Sequence, residues 1–436
     1  MSPTQAKEHH GAAPPPVPRL LPVPGSPVRT HPDGVPDDGR SEEAGAVDPA
    51  GAEDARLVDA DVPAAVGRVL DRVLDERLAR AREMDELFAE DLAGRVAGFT
   101  RAGGKRTRPQ LLWWSLRACG GTAPATVSAA LRIGAALELL QTCALVHDDV
   151  MDGSVLRRGR PALHADLRAR YAAAASTARA ARFGDAAGIL GGDLALVWAD
   201  DLVAETLLDP ATAREVRRLW SDMRTEMVAG QYLDVQGQVT ASHSLPRVLR
   251  TACLKSALYS VERPLALGAV LAGADGTTLR ALCSAGRCVG MAFQLRDDLD
   301  DVFGDPGLTG KSSGSDIREG KPTYVVALAR ARATAAGDHR ALAVLDRSLG
   351  DAALPPGGLE EVRAVLESTG ARAVVETKIS RLVAQGLRHF DGALLDPEGG
   401  GRLRRLLCSA AGGSGSAAAP DVSGAADVPG VRGARR

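Results

Sequence analysis

Two aspartate clusters, each at the end of an apolar stretch, constrain the fold of this 436-residue chain more than any other feature. The first contains Asp148, Asp149 and Asp152, and the second runs from Asp297 to Asp301, so that each includes the pattern D-D-x-x-D. On a helix, the first and last aspartates of such a pattern share one face, because residues four apart are neighbours. Carboxylates this close raise each other's pKa unless a cation neutralises them.

The chemistry of these clusters indicates a hard metal ion. Carboxylate oxygens without a cysteine or histidine partner suit Mg²⁺ above all. Mg²⁺ is bound through one or two carboxylates, while water and substrate phosphates complete its coordination. A single D-D-x-x-D is often a solvated acidic face, but here both clusters end apolar runs, where unpaired charge is costly. The sequence therefore predicts two helices that face one cavity and hold a polyphosphate between them.

Composition excludes several other classes of protein. A net charge of -2 gives no sign of nucleic-acid binding, and 3% aromatic residues argue against base-stacking surfaces. Six cysteines without a C-x-x-C pair are typical of a reducing cytosol. The polar, proline-rich beginning is unlike a signal peptide, and no apolar run is expected to span a bilayer. We therefore expect a cytoplasmic protein without a transmembrane segment.

The spacing of apolar residues predicts an all-α domain over residues 58–410, with ten or more helices and almost no strands. Residues 1–57 are rich in proline and 411–436 in glycine, serine and alanine, so both are predicted to be disordered. Pairs of glycines, among them Gly191-Gly192, are expected to interrupt the helical pattern. The predicted helical stretches are 66–92, 125–151, 186–207, 211–235, 246–272, 277–303, 324–349 and 358–390.

A cavity for Mg²⁺ and phosphates should also contain lysine and arginine, and basic residues accompany each cluster. Arginine binds phosphate through two hydrogen bonds and lysine as a point charge. Each group alone is more typical of a charged surface turn than of a phosphate site. The candidates are Lys105, Arg108, Arg157, Arg158, Lys255, Lys311 and Lys321.

Together these motifs resemble the trans-polyprenyl diphosphate synthases, which elongate isoprenoid chains head to tail. The resemblance covers about residues 65–395, and it implies an isoprenoid synthase-type helical bundle around a central cavity. The motifs that carry it, in order, are G-G-K-x-x-R-P from Gly103, D-D-x-x-D-x(4)-R-R-G from Asp148, G-D at Gly192, G-Q-x-x-D from Gly230, K-S at Lys255-Ser256, F-Q-x-x-D-D-x-x-D from Phe293 and G-K-x-x-G-x-D from Gly310.

The resemblance implies an enzyme that joins isopentenyl diphosphate to an allylic diphosphate with three Mg²⁺ ions bound. Asp148 and Asp152 would ligate two ions and Asp297 the third, while Asp149, Asp298 and Asp301 would act through water or as supporting groups. The allylic diphosphate would be held by Arg157, Lys255, Lys311 and Lys321, with Gln231, Ser256 and Gln294 nearby. Isopentenyl diphosphate would be held by Lys105, Arg108 and Arg158, and by Gln141, where many relatives have a histidine.

The same resemblance places the residues that set product length on the helix before Asp148. Cys143 and Ala144 are small where relatives with a fifteen-carbon product have bulky side chains, and Leu140 would be a deeper floor. We therefore expect a twenty-carbon product, geranylgeranyl diphosphate, with a farnesyl or longer-chain synthase as the alternative. A homodimer is also implied.

Two alternatives of another class stay open at this point. A class I terpene cyclase is also all-α with a D-D-x-x-D motif, but it normally lacks the second aspartate cluster and a site for isopentenyl diphosphate. An inactive regulatory subunit would usually lack one of the two clusters, and both are intact here.

Overall fold

The computed structural model describes residues 54–240, 243–304 and 313–412, which all fall within one compact unit. The first helix begins at Ala55, so the helical domain starts three residues before the predicted boundary at residue 58. The last helix ends at Ala410, where the predicted domain ends. Most of the two terminal segments predicted to be disordered lies outside the described residues.

The described residues are almost entirely helical, which confirms the predicted all-α class. The α-helices are α1 (Ala55–Ala60), α2 (Val62–Met84), α3 (Glu86–Phe88), α4 (Gly94–Arg101), α5 (Thr107–Ala118), α6 (Pro124–Asp152), α7 (Leu163–Arg170), α8 (Thr177–Ala204), α9 (Pro210–Val239), α10 (Leu245–Ala252), α11 (Arg263–Leu271), α12 (Gly276–Phe303), α13 (Ser315–Glu319), α14 (Tyr324–Ala336), α15 (His339–Ser348), α16 (Pro356–Ser368), α17 (Ala371–Asp391) and α18 (Pro397–Ala410). Two π-helices, π1 (Ala89–Ala93) and π2 (Cys253–Glu262), interrupt the series.

Helix α6 forms the centre of the bundle and ends in the first aspartate cluster. Contrary to our expectation from the sequence, it is long and apolar enough to cross a membrane by length and composition, but 78% of its apolar window is buried inside the protein. It packs against α2, α5 and α8. This burial explains the apolar run as the core of a helical bundle.

The prediction that Gly191-Gly192 interrupts the helical pattern is wrong, because both glycines lie inside α8, which also contains most of the predicted stretch 186–207. A Cβ atom on Gly192 would lie 2.2 Å from the ring of His147 on α6. The glycine pair therefore allows two helices to approach closely, and it does not end a helix.

The stretch 246–272, predicted as one helix, consists of α10, π2 and α11. π2 packs closely against α9 and α12 at two glycines. A Cβ on Gly230 would lie 2.5 Å from the backbone nitrogen of Lys255, and one on Gly290 would lie 2.7 Å from Cα of Ala257. A π-helix inside an α-helix often marks a functional site, and this one contains Lys255.

A short hairpin follows α6. Strands β1 (Leu156–Arg157) and β2 (Arg160–Pro161) pair antiparallel, with Arg157 opposite Arg160. The two residues between them have positive φ angles, 54° at Arg158 and 74° at Gly159. Left-handed backbone at both central positions is typical of a two-residue type I′ turn.

Candidate active site

Both aspartate clusters line one cavity of about 990 Å³. Asp148 and Asp152 reach it from the end of α6, and Asp297 and Asp298 from the end of α12. The β1–β2 hairpin, α9, α10, π2, α13 and the segment before α14 form the remaining walls. The structure thus brings together two acidic motifs that are far apart in the sequence.

Asp148 is surrounded by cationic and amide donors. Its carboxylate accepts hydrogen bonds from Lys255 Nζ at 3.1 Å, from Gln231 Nε2 at 3.0 Å and from Arg157 Nη2 at 3.3 Å. Burial tends to raise the pKa of Asp148, but the charges of Lys255, Lys321 and Arg157 outweigh it and hold the pKa below its usual range. Asp148 is therefore an ionised oxygen donor at neutral pH.

Asp149 and Asp152 bind different basic residues. Asp149 is 1% exposed, and its Oδ1 accepts a 2.7 Å hydrogen bond from Arg157 Nε. Its Oδ2 is buried without a hydrogen-bond partner among the described residues, and burial raises the pKa of this carboxyl. Asp152 accepts from Lys321 Nζ at 2.8 Å. The first cluster therefore holds Arg157 and Lys321 at the cavity wall.

The second cluster has one exposed and one buried carboxyl at its start. Asp297 is exposed to the cavity, whereas Asp298 is 7% exposed. Burial raises the pKa of Asp298 to about 7, and the charge of Asp297 adds to this, while a 2.7 Å hydrogen bond from Gln294 Nε2 opposes it. Gln294 Oε1 in turn accepts from the hydroxyl of Ser256 on π2, so Gln294 links Asp298 to π2.

Asp301, at the end of the second cluster, fixes the segment that follows. It accepts hydrogen bonds from Ser315 Oγ at 2.5 Å and from the backbone nitrogen of Asp316 at 3.1 Å. Lys311, predicted to bind the allylic diphosphate, lies outside the described residues.

The residues predicted to bind isopentenyl diphosphate are divided by the structure. Arg158 lines the large cavity, but Lys105, Arg108 and Gln141 do not. Lys105 is exposed in the segment that leads into α5. Arg108 and Gln141 lie together against Tyr259 of π2. The Arg108 guanidinium lies 4.5 Å from the centre of the Tyr259 ring, and the Tyr259 hydroxyl donates to Gln141 Oε1 at 2.9 Å.

The three residues predicted to set product length lie on α6 at different depths. Ala144 is half-buried, one turn before Asp148, whereas Leu140 is fully buried. Cys143 is 1% exposed, and its Sγ lies 3.7 Å from Nδ1 of His147. The other ring nitrogen of His147 lies 3.0 Å from the Ile189 carbonyl on α8, which gives this histidine a structural contact.

Sequence reasoning did not assign three buried groups beside the predicted site. Asp234 accepts a 2.6 Å hydrogen bond from Lys255 Nζ, so this lysine bridges Asp234 and Asp148. Tyr259 is 3% exposed, and Glu138 is 7% exposed on α6. The G-Q-x-x-D motif contains Asp234 and could have indicated it. Tyr259 lies four residues after Lys255, but no motif includes it.

The donor set fits Mg²⁺ held jointly with phosphate. In the described ranges, no group of three or more carboxylate, imidazole or thiol side chains forms a preassembled metal cage. Oxygen ligands contributed in ones and twos from opposite walls match the way Mg²⁺ is bound together with substrate phosphates. Asp148 and Asp152 on one wall and Asp297 on the other provide such ligands.

Comparison with known proteins agrees with this geometry. Residues 91–353 match the family model described as polyprenyl synthetase. A geranylgeranyl diphosphate synthase of Methanosarcina mazei is 32% identical over 59% of this chain and 71% of its own length. A farnesyl diphosphate synthase of Geobacillus stearothermophilus is 36% identical over 53% of this chain and 73% of its own.

A solved structure is similar over more of the chain. It is the geranylgeranyl pyrophosphate synthase of Corynebacterium glutamicum complexed with isoprenyl diphosphate and magnesium, with a TM-score of 0.76 and 35% identity. The match covers 80% of this chain and 98% of that one.

The all-α bundle and its two acidic motifs define a prenyltransferase of the isoprenyl diphosphate synthase class. The chain belongs to the polyprenyl synthetase family. This membership favours chain elongation over a terpene cyclase, and the presence of both acidic clusters in one cavity argues against an inactive regulatory subunit.

Proposed function

We propose that this protein condenses isopentenyl diphosphate with an allylic diphosphate and that its main product is geranylgeranyl diphosphate. The observation that carries the proposal is the shared cavity, where Asp148 and Asp152 face Asp297 with Lys255 and Lys321 beside them. Opposed carboxylates with adjacent cations suit a metal-bound diphosphate, because each charge of that ligand meets its counterpart.

The aspartates would hold three Mg²⁺ ions, two at Asp148 and Asp152 and one at Asp297. Bound Mg²⁺ neutralises the charge that develops on a departing diphosphate. Arg157, which is tied to Asp149 at 2.7 Å, and Lys255 are fixed at the wall where this diphosphate would sit. Preorganised cations of this kind stabilise the leaving group without reorganising during the reaction.

The reaction would proceed in three bond changes. The C1–O bond of the allylic diphosphate breaks, and its electron pair leaves with the diphosphate. The double bond of isopentenyl diphosphate then attacks C1, forming the new carbon–carbon bond. A proton is finally lost to the departed diphosphate, which leaves a product longer by five carbons. The allylic cation needs an apolar surrounding that excludes water. Ala144 and Leu140, which precede Asp148 on α6 and do not line the 990 Å³ cavity, would form this surrounding once the tail is bound.

The size of the side chains below Asp148 supports a twenty-carbon product. Ala144 lies one helical turn, about 6 Å, from Asp148, and Leu140 lies about 12 Å away along the helix axis. A methyl side chain at the first position leaves room for a tail to pass, and a leucine at the second can limit its length. The alternatives are a fifteen-carbon farnesyl product and a longer one.

We also propose a symmetric homodimer in the cytoplasm. Large apolar side chains are exposed on two adjacent elements of the sequence, α8 and α9: Ile189 (49%), Leu190 (57%), Val197 (54%), Val228 (63%) and Tyr232 (68%). Exposed apolar side chains on these two helices are candidates for a subunit interface, and most soluble oligomers are symmetric.

Incubation of the purified protein with labelled isopentenyl diphosphate and each allylic primer, with products sized by chromatography, tests the proposal. We expect a main product of twenty carbons that requires Mg²⁺. Absence of condensation with every primer, or full activity in EDTA, would contradict the reaction. A main product of fifteen carbons, or of more than twenty, would contradict the assigned length but not the reaction.

A further inference from the structure

Glu138 is a buried acid on α6 to which neither the motifs nor the proposed reaction gives a role. It lies ten residues before Asp148, between Leu137 and Leu139, and is 7% exposed. Burying a carboxyl in an apolar helix is costly unless charges or hydrogen bonds compensate it. Its surroundings should therefore explain why it is there.

Three arginines from two separate segments face this carboxyl. Burial raises the pKa of Glu138, and the charges of Arg108, Arg106 and Arg158 oppose that rise. Arg106 and Arg108 lie at the start of α5, whereas Arg158 lies in the turn of the β1–β2 hairpin. Glu138 Oε2 lies 3.4 Å from the position of a Cβ on Gly103, and Arg158 Nη2 lies 3.5 Å from that of Gly104. The two segments thus meet beside Glu138.

The arginines would repel one another in the absence of this acid. Burial lowers the pKa of Arg158, the charges of Arg157 and Arg108 lower it further, and the charge of Glu138 opposes this by favouring the charged guanidinium. Glu138 forms no ion pair with any of these arginines in the part of the chain that the structure describes. Its interaction with them is therefore a longer-range charge–charge attraction. Salt screens such an interaction weakly when the group is buried.

Arg106 differs from the other two because it has another structural role. Its Nη1 donates to the Pro63 carbonyl on α2 at 3.1 Å. Arg108 and Arg158 are the two arginines expected to bind isopentenyl diphosphate. Arg108 also donates to Ser260 Oγ at 2.7 Å, and Arg158 lies with its guanidinium 5.9 Å from the centre of the Phe99 ring.

We propose that Glu138 is a positioning residue whose carboxylate holds Arg108 and Arg158 at one place for the diphosphate of isopentenyl diphosphate. This inference rests on the function proposed above. It assigns to Glu138 no contact with substrate. The role depends on its negative charge, because a neutral side chain of the same size would leave the two guanidinium groups without their common countercharge.

Glu138→Gln tests the charge with almost no change in shape. We expect the KM for isopentenyl diphosphate to rise about tenfold and the KM for the allylic diphosphate to change less than twofold. A charge–charge interaction that shifts a pKa by about one unit corresponds to about a tenfold change in binding. Calorimetric titration with isopentenyl diphosphate should show the same weakening without turnover. Glu138→Asp keeps the charge and should recover at least part of the affinity.

Thr142→Val provides the matched control. Thr142 is 3% exposed one turn further along α6, and its hydroxyl donates to the Glu138 backbone carbonyl at 3.0 Å and lies 2.9 Å from the Thr100 hydroxyl. Thr142→Val therefore perturbs the backbone contact at Glu138 without changing the charge of its side chain. This variant should leave both KM values unchanged. Equal KM values for isopentenyl diphosphate in Glu138→Gln and wild type, or a common rise in both KM values, would overturn the role of Glu138. If the glutamine variant does not fold, an aspartate variant with wild-type stability but no recovered affinity would also overturn it.

The proposed function can fail separately. Wild-type protein that neither binds nor consumes isopentenyl diphosphate would contradict the proposed function itself. Wild-type protein that binds it, together with a Glu138→Gln variant that binds it equally well, would contradict the role of Glu138 alone.

Discussion

Gly230→Ala should damage both stability and catalysis, because it changes the contact that fixes Lys255. Gly230 is buried in α9, and the added Cβ would lie 2.5 Å from the backbone nitrogen of Lys255 and 2.7 Å from its Cα. Both atoms belong to the backbone of π2, so no side-chain rotation can relieve the overlap. Reaching ordinary contact requires a relative displacement of α9 and π2 of about 1 Å.

The size of the expected effect follows from this displacement. Overpacking of a tight contact costs about 1–3 kcal/mol, and the better helix propensity of alanine offsets roughly 0.5–1 kcal/mol of it. Lys255 Nζ lies 2.6 Å from Asp234 and 3.1 Å from Asp148, and a shift of π2 would disturb both contacts. A misplacement near 1 Å can lower catalytic efficiency by about 100-fold.

Gly98→Ala is the matched control. Gly98 is also a helical glycine, on α4, but a Cβ there meets nothing within 4 Å. It should stabilise the protein by about 0.5–1 kcal/mol and leave kcat/KM unchanged. Urea unfolding measures the stability of both variants, and steady-state condensation measures kcat/KM. A Gly230→Ala variant with wild-type stability and kcat/KM would refute the assigned contact between α9 and π2.

Three further results are expected. Asp148→Ala and Asp297→Ala should each lower turnover by several orders of magnitude, because stabilising the leaving group is usually the largest catalytic term; near-normal turnover in either would contradict the mechanism. Ala144→Phe should shift the product toward fifteen carbons, whereas Leu140→Ala should lengthen it and destabilise the fold by about 2–5 kcal/mol; product lengths equal to wild type in both would place the floor elsewhere. Light scattering should show a dimer, and a monomer at micromolar concentration would contradict the proposed assembly.

The helical class and most helix positions could be predicted from the sequence because they depend on local periodicity. The run from Ala125 to Met151 repeats apolar residues at helical spacing, and the structure has α6 from Pro124 to Asp152. The same reasoning placed α12 within one residue at its N-terminus, since 277–303 was predicted and Gly276–Phe303 is observed. The position of both acidic motifs at the ends of apolar runs was enough to predict that they share a cavity.

The π-helix π2 could not be predicted, because its cause lies in other segments. Apolar spacing over Cys253–Glu262 is compatible with an ordinary α-helix. In the structure, Gly230 and Gly290 let the backbones of α9 and α12 approach π2 so closely that a Cβ at either glycine would overlap the backbone of π2. Gly191-Gly192 misled for the same reason. A glycine pair can mark a turn or a close crossing of two helices. Here it marks a close crossing, because Gly192 packs against the ring of His147, which lies 45 residues earlier in the sequence.

The R-R-G motif directs its two neighbouring arginines to different parts of the site. Arg157 ends β1 and turns to Asp149, with Nε 2.7 Å from the carboxylate, on the side proposed for the allylic diphosphate. Arg158 occupies the next position with φ of 54°, which directs it to the segment at Gly104, on the side proposed for isopentenyl diphosphate. A non-glycine residue rarely adopts this conformation, and the turn requires it here because Gly159 fills the second left-handed position. The two-residue turn therefore fixes the spacing between the two proposed diphosphate sites.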